Sequence, residues 1–367
     1  MRRCERRPAM QPEFSIGEKK IGPGHPVFIV AEISANHVGD FDIAVETLKA
    51  AQEAGADAVK VQTYSPDTLT IDCDQEQFRI KGTIWEGRNL FQLYSEAYMP
   101  WDWQPKLKEA ADELGITFFS SAFDETSVDF LEDMGVPAYK VASFEIVDVR
   151  LLRKIAATGK PVILSTGMAS LAEIQEAVST FREAGHTRIA LLKCASAYPA
   201  PPETMNLLTI THLRETFGLP VGLSDHTLGL AVPVAAVALG ACIIEKHFTI
   251  SRSLGGADAA FSLEPTEFKT MVEAVRAAEQ AIGGIHYGPS EHEMGSCAFR
   301  RSLFVVEDMK AGEPFSAANV RSIRPADGLH PRYLDIVLGR VAAMDIKRGT
   351  PLRWELVDGH TPARHGG

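Results

Sequence analysis

Short apolar runs rich in β-branched and aromatic residues recur along the chain, and stretches with helical spacing separate them. The runs predict strands over Val27–Ile33, Ala58–Thr63, Ile116–Ser121, Ala138–Ala142, Val162–Ser165, Ile189–Cys194, Val221–Ser224 and Cys242–His247. The intervening helices carry their own end signals. Asp42–Ala54 stops at Gly55, a residue suited to the position just past a helix. Ser170-Leu-Ala-Glu173 is a capping box ahead of Ile174, Val178 and Phe181. Glu264–Ile282 spaces Phe268, Met271, Val272 and Val275 on one face and ends at Gly283-Gly284. Eight strands alternating with helices predict an α/β fold, a (β/α)₈ TIM barrel. An open doubly wound sheet is the alternative, because alternation alone does not show closure.

Two segments depart from this rhythm. Ser65–Asp102 is too long for an ordinary connection and contains Lys81-Gly-Thr-Ile-Trp85-Glu-Gly-Arg88 before a helical Leu90–Tyr98. A long insertion after a barrel strand is expected to shape or cover the active site. After Gly288 the pattern changes: Ser302–Val306 is strand-like, and Asp308-Met-Lys310-Ala-Gly312-Glu-Pro314 recurs 37 residues later as Asp345-Ile-Lys347-Arg-Gly349-Thr-Pro351. Two copies of one turn predict a small module with internal pseudo-symmetry. The expected organisation is a loose tail over 1–20, a barrel over 21–283, a linker over 284–298, a small domain over 299–358 and a second tail over 359–367.

Composition narrows the class. Of 367 residues, 45% are hydrophobic and 23% charged, which describes a globular chain with a substantial core. The net charge of −11 argues against nucleic-acid or anionic-membrane partners while allowing a local cationic pocket. The five cysteines (Cys4, Cys73, Cys194, Cys242 and Cys297) are scattered without a CxxC pair, which fits a reducing cytoplasm, and Cys194 and Cys242 read as buried strand thiols. Met1–Phe14 has four arginines but no following apolar core, so it is not read as a secretory signal, and Met10 is an alternative start. No run has the length of a membrane span.

Chemistry concentrates at the carboxyl ends of the expected strands, where a barrel of this type places its active site. Taken in order they offer Glu32 with Asn36-His37, Lys60 and Gln62, Ser120-Ser121, Lys140 with Ser143 and Glu145, Ser165-Thr166, Ser196 with Tyr198, Ser224 with Asp225-His226, and Glu245 with His247. A strand–helix–strand unit brings His226 and His247 to the same end of the sheet. Two imidazoles flanked by carboxylates suit a divalent metal, with Asp225 or Glu245 as orienting or proton-handling groups. Lysines and short hydroxyls are what a phosphate and a carboxylate require. Lys140 could instead form a Schiff base, as in lysine aldolases. Thr158-Gly159-Lys160 lacks the upstream glycine of a P-loop, and Gly255-Gly256 is no dinucleotide fingerprint.

These motifs together resemble the sialic acid synthase family: Ala31-Glu32-Ile-Ser-Ala-Asn36-His37, Gly55-Ala-Asp-Ala-Val-Lys60-Val-Gln62-Thr, Tyr139-Lys140-Val-Ala-Ser143, Ser165-Thr-Gly167-Met, Gly222-Leu-Ser224-Asp-His226-Thr and Glu245-Lys-His247-Phe-Thr. The resemblance covers about Val27 to Asp358 and implies a TIM barrel followed by a small antifreeze-like (SAF) domain. It implies condensation of phosphoenolpyruvate (PEP) with an N-acetylated amino sugar, by a domain-swapped homodimer that uses Mn²⁺, Mg²⁺ or Co²⁺. Lys81-Gly-Thr-Ile-Trp85, Arg88-Asn-Leu-Phe, Tyr98-Met-Pro-Trp101-Asp-Trp103 and Arg324-Pro-Ala-Asp-Gly-Leu-His330-Pro331 resemble the pseudaminic acid branch. Sialic or legionaminic acid synthesis is the near alternative; a non-catalytic sugar- or ice-binding protein is the distant one.

Transferred position by position, the resemblance makes His226 and His247 the metal ligands. It places PEP among Lys60, Ser121, Lys140, Ser143, Ser165, Ser196 and Ser224, and the sugar against Gln62, Tyr198, Asp258 and, from a neighbouring subunit, Arg324. Glu32 and Glu245 join the histidines as catalytic candidates. Ser196 is a departure: sialic acid synthases tend to have Asn there, whereas the pseudaminic branch has Ser.

Overall fold

A computed structural model describes residues 13–359. The parts of the expected tails at 1–12 and 360–367 lie outside the described residues, as do Cys4 and Met10. The chain divides into two units at Gly283/Gly284.

In the first unit eight parallel strands close a barrel: β3 (Phe28–Glu32), β4 (Ala58–Thr63), β5 (Thr117–Ala122), β6 (Tyr139–Val141), β7 (Val162–Ser165), β8 (Ile189–Cys194), β9 (Val221–Asp225) and β10 (Ile243–His247), with β10 pairing β3. Closure settles the choice against an open doubly wound sheet. Side chains alternate across each strand. Val59, Val61, Phe118, Tyr139, Leu164, Leu191, Leu223 and Ile244 face outward into the shell shared with the helices. Phe28, Val30, Ala58, Phe119, Ala138, Ile163, Ala190, Leu192 and Ile243 form a separate cluster inside the barrel. Gly222 belongs to that crowded interior, where a Cβ would collide with the Ile243 carbonyl and side chain and with Leu192.

That interior cluster also contains Phe14, Ile16 and Ile21. They come from β1 (Phe14–Ile16) and β2 (Lys19–Ile21), an antiparallel hairpin turned at Gly17, whose φ is +56°. Residues 14–20 are therefore not the loose tail expected from the sequence. Their apolar side chains pack with the inward residues near the amino ends of the barrel strands and cover that end of the core.

The helices begin and end as their sequences dictate. Asp40 caps Phe41–Glu53 by accepting from Asp42 N and Ile43 N, and Gly55 follows with a φ of +91°. The Ser170–Glu173 capping box opens Leu171–Glu183. Between β9 and β10 the helix spans Ala231–Ala238, and Leu228 and Leu230 ahead of it are exposed. The long insertion contains helices Pro66–Leu69 and Leu90–Ala97.

The second unit holds β11 (Ser302–Val305) paired antiparallel with β12 (Val320–Ile323) around a core of Leu303, Val305, Phe315, Val337 and Leu352. The repeated turn is reciprocal: Lys310 pairs with Asp345 and Lys347 with Asp308, each at 2.8 Å, while Met309 bridges Ile346.

Candidate active site

The apolar interior stops at one height, and charge begins immediately above it. On β3, Glu32 follows inward-facing Phe28 and Val30; on β4, Lys60 and Gln62 follow Ala58. On β5, β6 and β7 the same positions are Ser121, Lys140 and Ser165. On β8, β9 and β10 they are Cys194, Ser224 and Glu245, and His226 and His247 stand one step higher. Glu32 pairs in register with Lys60, Ser121 with Lys140, and Ser224 with Glu245. Period-two alternation therefore turns eight separate segments into one polar cup.

The cup is a connected network. Lys60 contacts Glu32 and donates to Ser121 Oγ at 3.1 Å. Lys140 donates to Ser165 Oγ at 2.7 Å and the Val141 carbonyl at 2.8 Å. Glu245 Oε1 lies 3.9 Å from both ammonium nitrogens and accepts from Ser224 Oγ at 3.1 Å. Gln62 donates to Glu32 Oε1 at 3.0 Å and to Ser34 Oγ at 2.9 Å, and Ser34 donates to Asp258. Ser143 and Ser196 close another side: a Cβ at Gly167 would collide with both hydroxyls, and Gly167 N–H donates to Ser143 Oγ at 3.1 Å.

Burial separates the proton affinities of these groups. It raises the pKa of Glu32, with Glu245 adding to the effect and Lys60 opposing it. Burial pushes Glu245 the same way, but Lys140, Lys60, Ser224 and His226 outweigh it and the net shift is downward. Lys60 resists burial through its two glutamates and is raised. Lys140, facing burial and the charge of Lys60, is lowered. Burial also raises Asp258, against the bond from Ser34. Desolvating so many charges costs several kcal/mol per ion before pairing offsets it.

The two histidine rings lie 5.3 Å apart, centre to centre. His226 Nδ1 is 2.9 Å from the Ala195 carbonyl, which fixes that nitrogen as the donor and leaves Nε2 for the mouth. Burial disfavours a charged His226, but Cys194, the Ala195 carbonyl and Glu245 raise its pKa overall. At His247 burial and the neighbouring cations act together, and the pKa falls well below the ordinary value. Its Nδ1 has no hydrogen-bond partner among the described residues and lies 3.8 Å from Asp258 Oδ2. The Tyr198 ring lies tilted against the His226 ring, 4.4 Å from it centre to centre. Among the described residues no group of three or more His, Cys, Asp or Glu side chains gathers around one point. An ion held by His226 and His247 would therefore share its shell with water or substrate oxygens.

A model of the NeuB family matches residues 47–287, and a SAF domain model matches 300–358. The chain belongs to the NeuB family. It is 46% identical to a pseudaminic acid synthase of Campylobacter jejuni over 327 residues, 89% of this chain and 95% of that protein. A pseudaminic acid synthase of Helicobacter pylori is 44% identical over 89% of this chain and 96% of its own length. An N,N'-diacetyllegionaminic acid synthase of Legionella pneumophila is 38% identical over 93% of this chain and 98% of its own length. Among solved structures, an N-acetylneuraminic acid synthetase from Leptospira borgpetersenii is similar, with 35% identity and a TM-score of 0.69 over 78% of this chain and 95% of that one.

Within this NeuB-family barrel the structure gathers the expected catalytic, PEP and sugar residues at one mouth except Arg324, which is exposed in the second unit, while Asp225 and His37 lie outside the cup. Asp225 is close in sequence but points the other way. It pairs at 2.6 Å with the fully buried Lys246 and accepts from Thr227 N, so it braces the loop carrying His226. It is not the orienting or proton-handling group expected from its position beside the histidine. His37 is also structural: burial lowers its pKa to about 4, and its ring packs edge-on against Trp103. Cys194 was missed. Its sulfur lies 3.9 Å from His226 Nδ1, and although burial opposes ionisation, His226, Ser143 and Lys140 bring the thiol down to about 7. Its parity with Leu192 and Ser196 was the available signal. Ser34, with a φ of +47°, was missed because a short turn carries it out of the strand pattern.

Proposed function

We propose that the chain condenses PEP with 2,4-diacetamido-2,4,6-trideoxy-L-altrose and water, giving pseudaminic acid and phosphate. The observation that carries this reading is the higher identity to pseudaminic acid synthases, 44–46%, than to legionaminic acid synthases, 36–38%. The polar cup supports the chemistry. Lys60, Lys140 and the hydroxyls of Ser121, Ser143, Ser165, Ser196 and Ser224 supply cations and donors for the PEP phosphate and carboxylate. Gln62, Tyr198 and Asp258 lie on the histidine side, where the acceptor aldehyde would enter.

The methylene carbon of PEP attacks the aldehyde carbon, and positive charge develops at the adjacent PEP carbon. Water adds there, and phosphate leaves from the tetrahedral intermediate with its C–O bond broken. Glu32, whose pKa is raised by burial, delivers a proton to the new alkoxide; Glu245, kept ionised beside two lysines, takes one from the attacking water. His226 and His247 would hold a divalent ion, Mn²⁺, Mg²⁺ or Co²⁺, which when bound supplies Lewis acidity toward the aldehyde oxygen. We place the reaction in the cytoplasm. Cys73, Cys194, Cys242 and Cys297 are free thiols, and among the described residues no helix is long and apolar enough to cross a membrane.

Arg324 is assigned to the acceptor site of a second copy in a domain-swapped homodimer. Its exposure, and the exposed Ile285, Tyr287, Met294 and Phe299 that precede it, support an assembly role for this segment. Mixing inactive His247→Ala and Arg324→Ala chains should regenerate activity, since one site in the heterodimer then has both residues intact. Verified heterodimers without activity would rule out action in trans. The reaction itself is tested with purified protein, PEP and each candidate sugar, scored by the mass of the nine-carbon product. Turnover of a monoacetamido hexose alone would overturn the acceptor assignment.

A further inference from the structure

The insertion after β4 reaches the catalytic mouth through Trp85. Arg79 bridges Asn89, and Ile80 N–H donates to the Arg88 carbonyl at 2.9 Å, so residues 80–88 form a closed excursion. Gly82 and Gly87 turn it, with φ of +67° and +94°. The Trp85 indole N–H donates to the Ala257 carbonyl at 2.9 Å, next to Asp258. Its ring lies 5.6 Å from Tyr198, which in turn packs tilted against His226. Trp85 also lines a cavity of about 590 Å³, together with Val38, Ile84, Glu86, Arg88 and Leu254. Val38 is held at a φ of +45°, costly for a β-branched residue, and meets the neighbouring loop at Gly256.

We infer that Trp85 is a specificity-determining residue, the wall of a subsite for the acetamido group that the acceptor carries away from its reacting aldehyde end. The inference rests on the acceptor proposed above and names how it is chosen. An acetamido group has a methyl and an amide. Val38, Ile84 and Leu254 offer apolar surface to the first. For the second, Arg88, which is held by an ion pair to Glu96 on the same wall, keeps further N–H donors, and the carboxylates of Glu86 and Glu96 offer acceptors. A hydroxyl at that carbon leaves the apolar wall uncovered. Because Trp85 ties the cavity to Tyr198, loss of the indole opens the subsite without touching the PEP cup.

The test compares the diacetamido sugar with N-acetylmannosamine by kcat/KM, alongside the KM for PEP and the melting temperature. Trp85→Ala is expected to lower kcat/KM for the diacetamido sugar about tenfold or more. The value for N-acetylmannosamine should fall far less, and the KM for PEP should stay in place. Ile84→Trp, which fills the cavity from an exposed position, should give the same selective loss and decides the matter if Trp85→Ala does not fold. Equal losses for both sugars, or no loss for either, would overturn the subsite. A wild-type enzyme that uses only N-acetylmannosamine would overturn the acceptor assignment itself, whatever the variants do.

Discussion

The lower and upper halves of the barrel interior are built by the same strands with the same alternation, yet they share almost no chemistry. Below, Phe28, Val30, Phe119, Ile163, Leu192 and Ile243 close with the hairpin residues Phe14, Ile16 and Ile21 into a dry core. Above, one inward position further along, the ionisable groups Glu32, Lys60, Lys140 and Glu245 are equally buried. Apolar burial stabilises the first layer at about 25 cal/mol per Å². The second costs desolvation, and pairing among its members returns only part of it. One layer of pleat is thus enough to change a stabilising position into one held for ligand chemistry. Substitutions below should move stability and spare kinetics; those above should do the reverse.

The largest effect is expected at the top. His226→Ala should abolish turnover, as should chelation of the wild type, with Mn²⁺, Mg²⁺ or Co²⁺ restoring the latter. The melting temperature of His226→Ala should stay near wild type, because the apolar layer is untouched. Full activity in a demetallated His226→Ala enzyme would remove the histidines from the mechanism. Phe119→Ala makes the opposite case: a fully buried ring in the lower layer is lost, at about 3–5 kcal/mol of stability by denaturant unfolding. Its KM for PEP should not change; a shifted KM would mean the layers are coupled. Lys140→Met removes a charge-assisted contact of about 1.5–3 kcal/mol, so the KM for PEP should rise about 10- to 150-fold while that for the sugar stays. A borohydride-trappable imine at Lys140 would instead favour the aldolase chemistry.

Much of this contrast was legible in the sequence, because period-two alternation and strand ends are local properties. Lys60 and Gln62, or Glu245 and His247, two apart at the end of an apolar run, share a face of any strand that carries them. The parity argument excludes Asp225 as readily as it includes His226, yet proximity to the histidine gave it a role that its pairing with Lys246 denies. Height within the barrel was not legible, since it depends on the register between strands far apart in sequence. The β1–β2 hairpin escaped notice for a different reason. Two three-residue strands carry too little periodicity to stand out beside an arginine-rich segment, and their value lies entirely in the apolar end they cover.

The smallest expected effect concerns Glu145, which belongs to the upper region but lies outside the paired network. It sits in the turn Glu145–Val147 just beyond β6, and its Oε2 is buried without a hydrogen-bond partner among the described residues. Burial raises its pKa from 4.5 to about 7, against the attraction of Lys140. A carboxyl raised in this way holds a proton in the folded state that the unfolded chain has already released. Its contribution is fully present below about 4.5 and is lost as the pH rises through about 7, so stability falls across that window. Glu145→Gln stays neutral at every pH and should escape that loss. Urea unfolding should therefore show little difference between the two proteins at a pH near 4, and a growing advantage for the variant toward pH 8. All other titrating groups are common to both proteins and cancel in the difference. A difference that does not change with pH would return Glu145 to an ordinary carboxylate. It would confine the charge-burial cost of the upper layer to Glu32, Lys60, Lys140 and Glu245.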